Sequence, residues 1–265
     1  MTKKVLVNGA CGRMGQEVVK TVVKETEEEL IGAYDKTNVG DNILDIVGIE
    51  GKTVLINDDL EEIIDQKQPD VIIDFTSPKV VMDNIKTGLG KGVHMIVGTT
   101  GITETDLKII KDLTETHEAN ALIVPNFAIG AVLLMEFSRE AAKYFEDVEI
   151  IELHHDQKMD APSGTSVKTA ELINENLEKS NKNEDQEYIE KIDGVRGGNK
   201  EDVHIHSVRL PGLVAHQEVI FGGEGQSLTL RHDSYDRKSF MPGVKLALDK
   251  IEEIDGMLYG LEKIM

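Results

Sequence analysis

Several features common in other classes of protein are missing from this sequence, and each absence excludes a class of function. The 265 residues include a single cysteine, Cys11, which excludes a framework of intrachain disulfides and fits a reducing cytoplasm. Basic residues are scarce, 29 against 49 acidic ones, and the formal net charge of −20 predicts that neither nucleic acid nor an anionic membrane is a partner. No apolar run is long enough to span a membrane, and the first residues contain no apolar signal-peptide segment.

The first half of the chain alternates two hydrophobic patterns. Apolar runs typical of buried strands occur at residues 4–8, 30–35, 70–76, 94–99 and 121–125. Amphipathic patterns typical of helices occur at residues 13–27, 59–66, 78–89 and 104–117. Strands that are apolar throughout and separated by helices indicate a parallel sheet covered on both faces, so the pattern predicts a Rossmann-like α/β fold.

The second half changes character. Helices are predicted at 130–145 and 165–177, and a strand at 148–153. A polar segment at 178–202 is interpreted as a surface excursion, and three alternating strands follow at 203–210, 214–221 and 227–232. This order predicts an α+β region with a mixed or antiparallel sheet. A final helix is predicted at 239–259.

A glycine-rich turn follows the first strand and opens the first helix. Its sequence, Gly9-Ala10-Cys11-Gly12-Arg13-Met14-Gly15, has the spacing GxxGxxG, which by itself is a weak signal. Asp35 ends the second strand twenty residues later, where a carboxylate that binds ribose is expected, and together the two features predict a dinucleotide site. Lys36 either meets the 2′-phosphate of NADP or is a solvated loop charge, and use of both NADH and NADPH is favoured.

Three further turns lie where predicted strands end, at residues 75–76, 98–101 and 125–127. In open α/β sheets ligands bind at this edge, and small or hydroxyl side chains there leave room for a nicotinamide. Ordinary turn chemistry explains each of these turns equally well.

The segment 152–166 carries the groups suited to proton transfer. His154, His155 and Lys158 lie within five positions, and a Ser163-Gly164-Thr165 turn then opens a helix whose amides suit an anion. This combination predicts a site that acts on an acidic small molecule. If the preceding strand continues through the histidines, they point to opposite faces and do not share a metal ion. Asp160 either caps the next segment or orients Lys158.

A second histidine pair, His204 and His206, falls on one face of a predicted strand. Two ligands make a weak metal site, so a solvated strand face is favoured and no metal is predicted.

Taken together, these motifs resemble those of the 4-hydroxy-tetrahydrodipicolinate reductase (dihydrodipicolinate reductase) family. Residues 154–166 fit the family pattern HHxxKxDAPSGTA, with Ser166 in place of the last alanine, and residues 9–15 fit its GxxGRMG loop. Residues 74–76, 98–101 and 126–127 fit its cofactor-side turns. Position 36 departs from the family's usual arginine, and lysine lacks the bidentate fork of a guanidinium.

The resemblance implies a role for each matched residue. His154 is the proton donor or acceptor at the substrate ring, and Lys158 is a second proton donor. The substrate carboxylates are bound by His155, Gly164 and Thr165. The residues expected to bind NADH or NADPH are Gly9, Ala10, Cys11, Gly12, Arg13, Met14, Asp35, Lys36, Gly98, Thr99, Thr100, Val124, Pro125, Asn126 and Phe127.

The resemblance also implies the reaction and the domain organisation. A hydride from the nicotinamide reduces a small cyclic dicarboxylate with loss of water, in the biosynthesis of lysine and diaminopimelate. Residues 1–127 form the dinucleotide-binding domain, completed by a C-terminal helix within 236–265. Residues 128–235 form the domain that binds substrate and assembles a homotetramer.

Two alternatives carry different residue requirements. A short-chain dehydrogenase or epimerase needs a Tyr-x-x-x-Lys pair in the body of its fold, whereas the pair found here, Tyr259 and Lys263, lies at the end of the sequence. A non-catalytic sensor of NAD has no use for a His-His-x-x-Lys segment beside an anion-binding turn. Both alternatives are therefore disfavoured.

Overall fold

A computed structural model describes residues 2–177 and 189–265, and the chain divides into two compact units. The first unit contains Met1–Ile129 together with Phe240–Met265, and the second contains Gly130–Ser239. Among the described residues, no helix is long and apolar enough to cross a membrane.

The strands, in chain order, are β1 (Lys4–Asn8), β2 (Glu29–Tyr34), β3 (Ile56–Asn57), β4 (Val71–Asp74), β5 (His94–Val97), β6 (Ala121–Ile123), β7 (Asp147–His154), β8 (Gly198–Lys200), β9 (Val203–Arg209), β10 (Ala215–Gly223), β11 (Gln226–Ser234) and β12 (Met257–Tyr259). The α-helices are α1 (Arg13–Glu25), α2 (Ile43–Val47), α3 (Leu60–Lys67), α4 (Val81–Gly90), α5 (Glu104–His117), α6 (Ile129–Ala141), α7 (Gly164–Asn174) and α8 (Met241–Lys250).

The first unit is built on a parallel sheet with the order β12-β6-β5-β4-β1-β2-β3. The central strands are apolar on both faces because helices cover both sides, and Val5, Leu6 and Val7 are all fully buried. Helix α5 begins and ends where the sequence predicts. Its first residue is set by a reciprocal capping box between Thr103 and Asp106. The parallel sheet confirms the predicted Rossmann-like fold class.

The C-terminal segment corrects one prediction. Instead of a single helix at 239–259, a 3₁₀ turn (Arg237–Phe240) leads into α8, and a second 3₁₀ turn (Ile251–Glu253) follows that helix. Gly256, with φ of +74°, then turns the chain into β12, which pairs in parallel with β6. Periodicity alone did not separate a short apolar edge strand from a continuing helix. The short elements α2 and β3 were also missed.

The second unit contains a mixed sheet with the order β11-β10-β7-β9-β8. Strands β7 and β9 are parallel, and the other neighbours are antiparallel. Strands β9 and β10 follow each other in sequence but do not pair, because β7 lies between them. Helices α6 and α7 supply Leu134, Ala170 and Ile173 to the core on one face of this sheet.

The predicted surface excursion at 178–202 contains an unpredicted strand at its C-terminal end, where the largely exposed β8 pairs with β9 and so extends the sheet. Gly198-Asn199-Lys200 has no apolar alternation and so carries no strand signal. Residues 178–188 of that segment lie outside the described residues.

Candidate active site

The glycine-rich turn between β1 and α1 brings backbone atoms closer together than side chains allow. Gly9 has φ of +75°, and a Cβ atom there would lie 2.4 Å from the carbonyl oxygen of Phe75. A Cβ on Gly15 would lie 2.0 Å from the carbonyl oxygen of Gly9. Gly12 precedes α1 and provides no side-chain cap, which leaves the first helical amides available to an anion. The turn therefore has the form of a pyrophosphate cradle.

Asp35 lies directly after β2 and is held against this turn. One carboxylate oxygen accepts a hydrogen bond from the Cys11 amide at 2.9 Å, and the other accepts from the Thr37 amide and hydroxyl at 3.0 and 2.9 Å. The carboxylate is thus fixed beside the glycine turn, at the place where a nucleotide ribose is bound in this class of fold.

Lys36 is engaged within its own unit. Its ammonium donates to the carbonyl oxygen of Asp58 at 2.6 Å and lies 5.2 Å from the centre of the Tyr34 ring. A 2′-phosphate at Asp35 would have to compete with this carbonyl for the ammonium. This geometry therefore does not favour tighter binding of NADPH than of NADH.

The other cofactor-side turns gather around Phe75. A Cβ on Gly98 would lie 2.2 Å from the Phe75 ring, and the rings of Phe75 and Phe127 are 5.4 Å apart between centres. The Asn126 side chain accepts from the Ala128 amide at 2.9 Å, and the Val124 amide donates to the Val97 carbonyl at 2.8 Å.

The predicted residues of these turns differ in exposure. Ala10, Thr99, Val124 and Phe127 are buried, whereas Arg13, Thr100 and Pro125 are exposed. Cys11, Met14 and Asn126 have intermediate exposure. The buried members shape the turns, and the exposed or half-exposed ones are able to touch a ligand.

A buried carboxylate ties these turns together. Asp74 is fully buried and accepts from Asn84 at 2.8 Å, from the Thr76 hydroxyl at 2.7 Å and from Thr99 at 2.7 Å. Asn8 at the end of β1 donates to the same carboxylate at 3.2 Å. Sequence reasoning placed residues 74–76 in a turn but missed this network, because its members come from separate elements.

The proton-transfer segment begins at the end of β7. His154 is the last residue of that strand, and its Nδ1 atom hydrogen-bonds the carboxylate of Glu152. His155 lies beyond the strand, so strict alternation does not extend to it as the prediction required. The Lys158 amide donates to the His155 carbonyl at 3.2 Å, which folds the following loop into a turn.

The loop that follows fixes Lys158 and opens α7. The Lys158 ammonium donates to both carboxylate oxygens of Asp160, at 2.8 and 2.9 Å, so Asp160 orients the lysine. The helix cap is Ser163 instead, whose hydroxyl accepts from the Ser166 amide at 3.2 Å. Gly164 is exposed with open space around it, and the half-exposed Thr165 follows. The first turn of α7 is therefore accessible to a carboxylate.

Glu152 is a functional candidate that sequence reasoning missed. Its carboxylate is fully buried, and Arg209 of β9 binds both oxygens, at 2.7 and 2.8 Å. Burial opposes ionisation, but hydrogen bonds from His154, Arg209 and Ser207 outweigh it and lower the pKa of Glu152 to about 2. A glutamate two positions before a histidine on one strand was the available signal, since alternate residues share a face.

The histidine pair of β9 does not form a metal site among the described residues. The His206 Nε2 atom lies 2.8 Å from a carboxylate oxygen of Glu149, on a strand where alternation places His204 on the same face. Within residues 2–177 and 189–265, no group of three or more histidine, cysteine or acidic side chains is arranged to hold a metal ion.

Comparison with known proteins matches both halves of the chain to one family. Residues 3–127 match the model of the dihydrodipicolinate reductase N-terminus, and residues 130–265 match that of its C-terminus. Over 262 residues, the chain is 53% identical to 4-hydroxy-tetrahydrodipicolinate reductase from Listeria innocua, and the aligned part covers 99% of each chain. It is 50% identical to the enzyme of that name from Syntrophomonas wolfei, and the aligned part covers 99% of this chain and 98% of the relative.

Solved structures give the same result. A dipicolinate-bound dihydrodipicolinate reductase from Paenisporosarcina sp. TG-14 superposes with a TM-score of 0.88 at 44% identity, over 100% of both chains. An amine dehydrogenase from Mycobacterium smegmatis superposes with a TM-score of 0.70 at 11% identity, over 97% of this chain and 95% of the other. At that identity the second likeness concerns the fold alone.

Proposed function

The chain belongs to the dihydrodipicolinate reductase family, and we propose that it catalyses the family reaction with His154 and Lys158 as its proton-transfer groups. It is an NAD(P)H-dependent 4-hydroxy-tetrahydrodipicolinate reductase of lysine and diaminopimelate biosynthesis. The substrate is reduced to tetrahydrodipicolinate with loss of water.

One observation carries the proposal for the proton-transfer groups. His154 is bound through Nδ1 to a buried carboxylate, which leaves Nε2 as the imidazole atom able to exchange a proton with substrate. Lys158 follows four residues later, held by Asp160 in the loop before α7. The two groups thus supply a base or acid and a cation from one short segment.

The first unit fits a nicotinamide dinucleotide. The cradle at Gly9 and Gly15 excludes side chains, and Asp35 is fixed beside it to accept from a ribose hydroxyl. The remaining residues proposed to line the cofactor are Ala10, Cys11, Gly12, Arg13, Met14, Lys36, Gly98, Thr99, Thr100, Val124, Pro125, Asn126 and Phe127. When bound, NADH or NADPH supplies the hydride. The protein contributes binding and orientation.

The second unit fits a dicarboxylate. The relative from Paenisporosarcina binds dipicolinate, a ring with two carboxylates. In this chain we propose that the backbone at Gly164 and Thr165, at the start of α7, receives one carboxylate, because backbone N–H groups at a helix N-terminus favour anions. His155 is proposed to bind substrate as well, and Lys158 adds a positive charge for the carboxylates in a chain whose net charge is −20.

A homotetramer is proposed from the second sheet. Residues that alternate with the helix-covered core, including Ile151, Leu153, Val208 and Ile220, are only partly buried and form a strip on the opposite face, where Glu149, His206 and Glu218 also lie. Packing of such faces between copies would remove that strip from water. We also propose that the enzyme is cytoplasmic, which cell fractionation tests.

The proposed activity is tested by following NADH and NADPH oxidation with substrate made in the assay by the preceding synthase. We expect oxidation with both cofactors. Lack of oxidation with either cofactor would reject the activity, and cofactor binding without turnover would favour the sensor alternative.

The proton-transfer assignment is tested in the same assay with His154→Gln and Lys158→Ala. Each is expected to lower kcat by on the order of 10²–10⁴, the range for a lost acid or base group. Matched controls are His117→Gln, at an exposed histidine of α5, and Lys168→Ala, at an exposed lysine of α7, and both should retain turnover. Near-normal kcat in both test variants would remove these residues from the mechanism.

A further inference from the structure

We propose that Glu152 and Arg209 are positioning residues that fix the tautomer of His154 and so make Nε2 its proton-transfer atom. This proposal rests on the function proposed above, because it assigns a task to the same histidine. Neither residue is proposed to touch the substrate.

The strand geometry brings these groups together. Glu152 and His154 are two positions apart on β7, with one residue between them, and point to the same face of the sheet. Arg209 is the β9 residue in register with His154 across the parallel pair. One carboxylate oxygen of Glu152 is shared by His154 Nδ1 and Arg209 Nη1, and the other accepts from Arg209 Nη2.

The neighbour on the other side of β7 does not disturb this arrangement. Gln217 of β10 stands opposite Glu152, but its side-chain amide is used by α7. Its oxygen accepts from Ser166 at 2.7 Å, and its nitrogen donates to Thr169 at 2.8 Å. Among residues 2–177 and 189–265, the charged or titratable groups bonded to Glu152 are His154 and Arg209, and the Ser207 hydroxyl is a further donor.

The charge state of Glu152 decides the tautomer. A carboxylate has acceptors and no donor, so the imidazole atom facing it must carry a hydrogen. Because the pKa of Glu152 is lowered to about 2, the side chain is ionised at neutral pH. His154 then carries its hydrogen on Nδ1, and a neutral His154 has its free electron pair on Nε2.

Arg209 extends the arrangement to the second proton-transfer group. Its Nη2 atom also donates to the backbone carbonyl of Asp160 at 2.8 Å. The Asp160 side chain in turn holds the Lys158 ammonium. One guanidinium thus links the carboxylate behind His154 to the loop that carries Lys158. The bidentate pairing also keeps the carboxylate plane fixed.

The tautomer is read directly in the resting protein, without turnover, from long-range ¹H–¹⁵N spectra of ¹⁵N-histidine-labelled enzyme at pH 8. His154 is assigned by the signal lost in His154→Gln. We expect hydrogen on Nδ1 and none on Nε2 in the unaltered chain. A ring with hydrogen on Nε2 and none on Nδ1 would overturn the proposal whatever the enzyme's activity, and this measurement needs no variant of Glu152.

Glu152→Gln then tests the cause. The Arg209 guanidinium has donors only, so it will hold the oxygen of the new side-chain amide. The amide NH₂ group then faces His154 Nδ1, which must accept, and the ring hydrogen is expected on Nε2. We expect this reversal in the spectrum and a fall in kcat of on the order of 10²–10⁴, while KM for NADH changes by less than roughly twofold. An unchanged tautomer would overturn the proposal, as would unchanged kcat.

Two further variants separate positioning from general damage. Glu152→Asp keeps the charge and should restore the Nδ1 hydrogen and part of kcat; loss equal to that of Glu152→Gln would contradict a role for the carboxylate. Asp156→Asn removes an exposed carboxylate from the same segment and should leave kcat unchanged. If the unaltered enzyme shows the expected tautomer but no turnover with any substrate, the proposed activity fails while the positioning geometry stands.

Discussion

At the scale of single residues, neighbours decide what each ionisable group is able to do. Glu152, Asp74 and Asp35 are all acceptors of several hydrogen bonds, but they hold an imidazole, a set of turns and a glycine loop respectively. Lys158 and Lys36 differ in the same way. The first is paired with a carboxylate, and the second donates to a carbonyl and lies over an aromatic ring.

Lys36→Ala is expected to weaken NADPH more than NADH. The ammonium must leave the Asp58 carbonyl to meet a 2′-phosphate, which offsets part of the gain, so we expect a tenfold difference at most, about 1.4 kcal/mol. Titration of cofactor binding by fluorescence measures both affinities. Lys52→Ala, a change at an exposed lysine paired with Glu29, is the control and should alter neither. Equal losses of NADH and NADPH would show that Lys36 does not meet the phosphate.

At the scale of elements, the cofactor side depends on how closely turns approach each other at the carboxyl edge of the parallel sheet. The end of β1 packs on the end of β4 through Gly9 and Phe75, and the end of β5 packs on the same phenylalanine through Gly98. Buried Asp74 then bonds groups from β1, α4 and the two neighbouring turns. Because these contacts share atoms, a change in one turn moves the others.

Gly9→Ala tests this dependence. A Cβ would meet the Phe75 carbonyl at 2.4 Å, and φ of +75° costs an alanine on the order of 1–2 kcal/mol besides. We expect a lower Tm and at least tenfold weaker NADH binding, measured by thermal unfolding and titration. Gly90→Ala is the matched control, since Gly90 ends α4 with open space around it. Wild-type Tm and affinity in Gly9→Ala would show that the turn is looser than described.

At the scale of the whole molecule, the two units divide the chemistry between them. The first holds the residues proposed to bind the dinucleotide, and the second holds the residues proposed for proton transfer and the mixed sheet. The sheet of the second unit has a helix-covered core on one face and the strip of Ile151, Leu153, Val208 and Ile220 on the other. We propose that copies of the chain assemble through that strip.

Light scattering on the purified protein is expected to give a mass four times the 29.3 kDa of one chain. Ile151→Asp should lower that mass because it puts a charge into the proposed interface, while the circular dichroism spectrum stays that of a folded protein. Ile109→Asp, on the exposed side of α5, is the control and should leave the mass unchanged. A monomer mass for the unaltered chain would reject the tetramer.

Much of this protein follows from the sequence itself because the determining interactions are local. Apolar strands alternating with amphipathic helices, the glycine spacing at 9–15 and the capping box of α5 each involve residues close in the chain, so pattern and chemistry predict them together. The segment 152–166 likewise indicates acid–base chemistry on an anion from its residue types alone. Its family resemblance added the individual roles, which remain predictions.

The tertiary structure decided what depends on partners distant in the chain. The insertion of β7 between β9 and β10 is a choice of pairing, and β12 became a strand because β6 offered it a free edge. Glu152 gained its significance from Arg209, fifty-seven residues away, because a buried carboxylate stays ionised only where several donors meet it. Hydrophobic periodicity predicts which face of a strand a residue lies on, but not which side chain from another strand it contacts on that face.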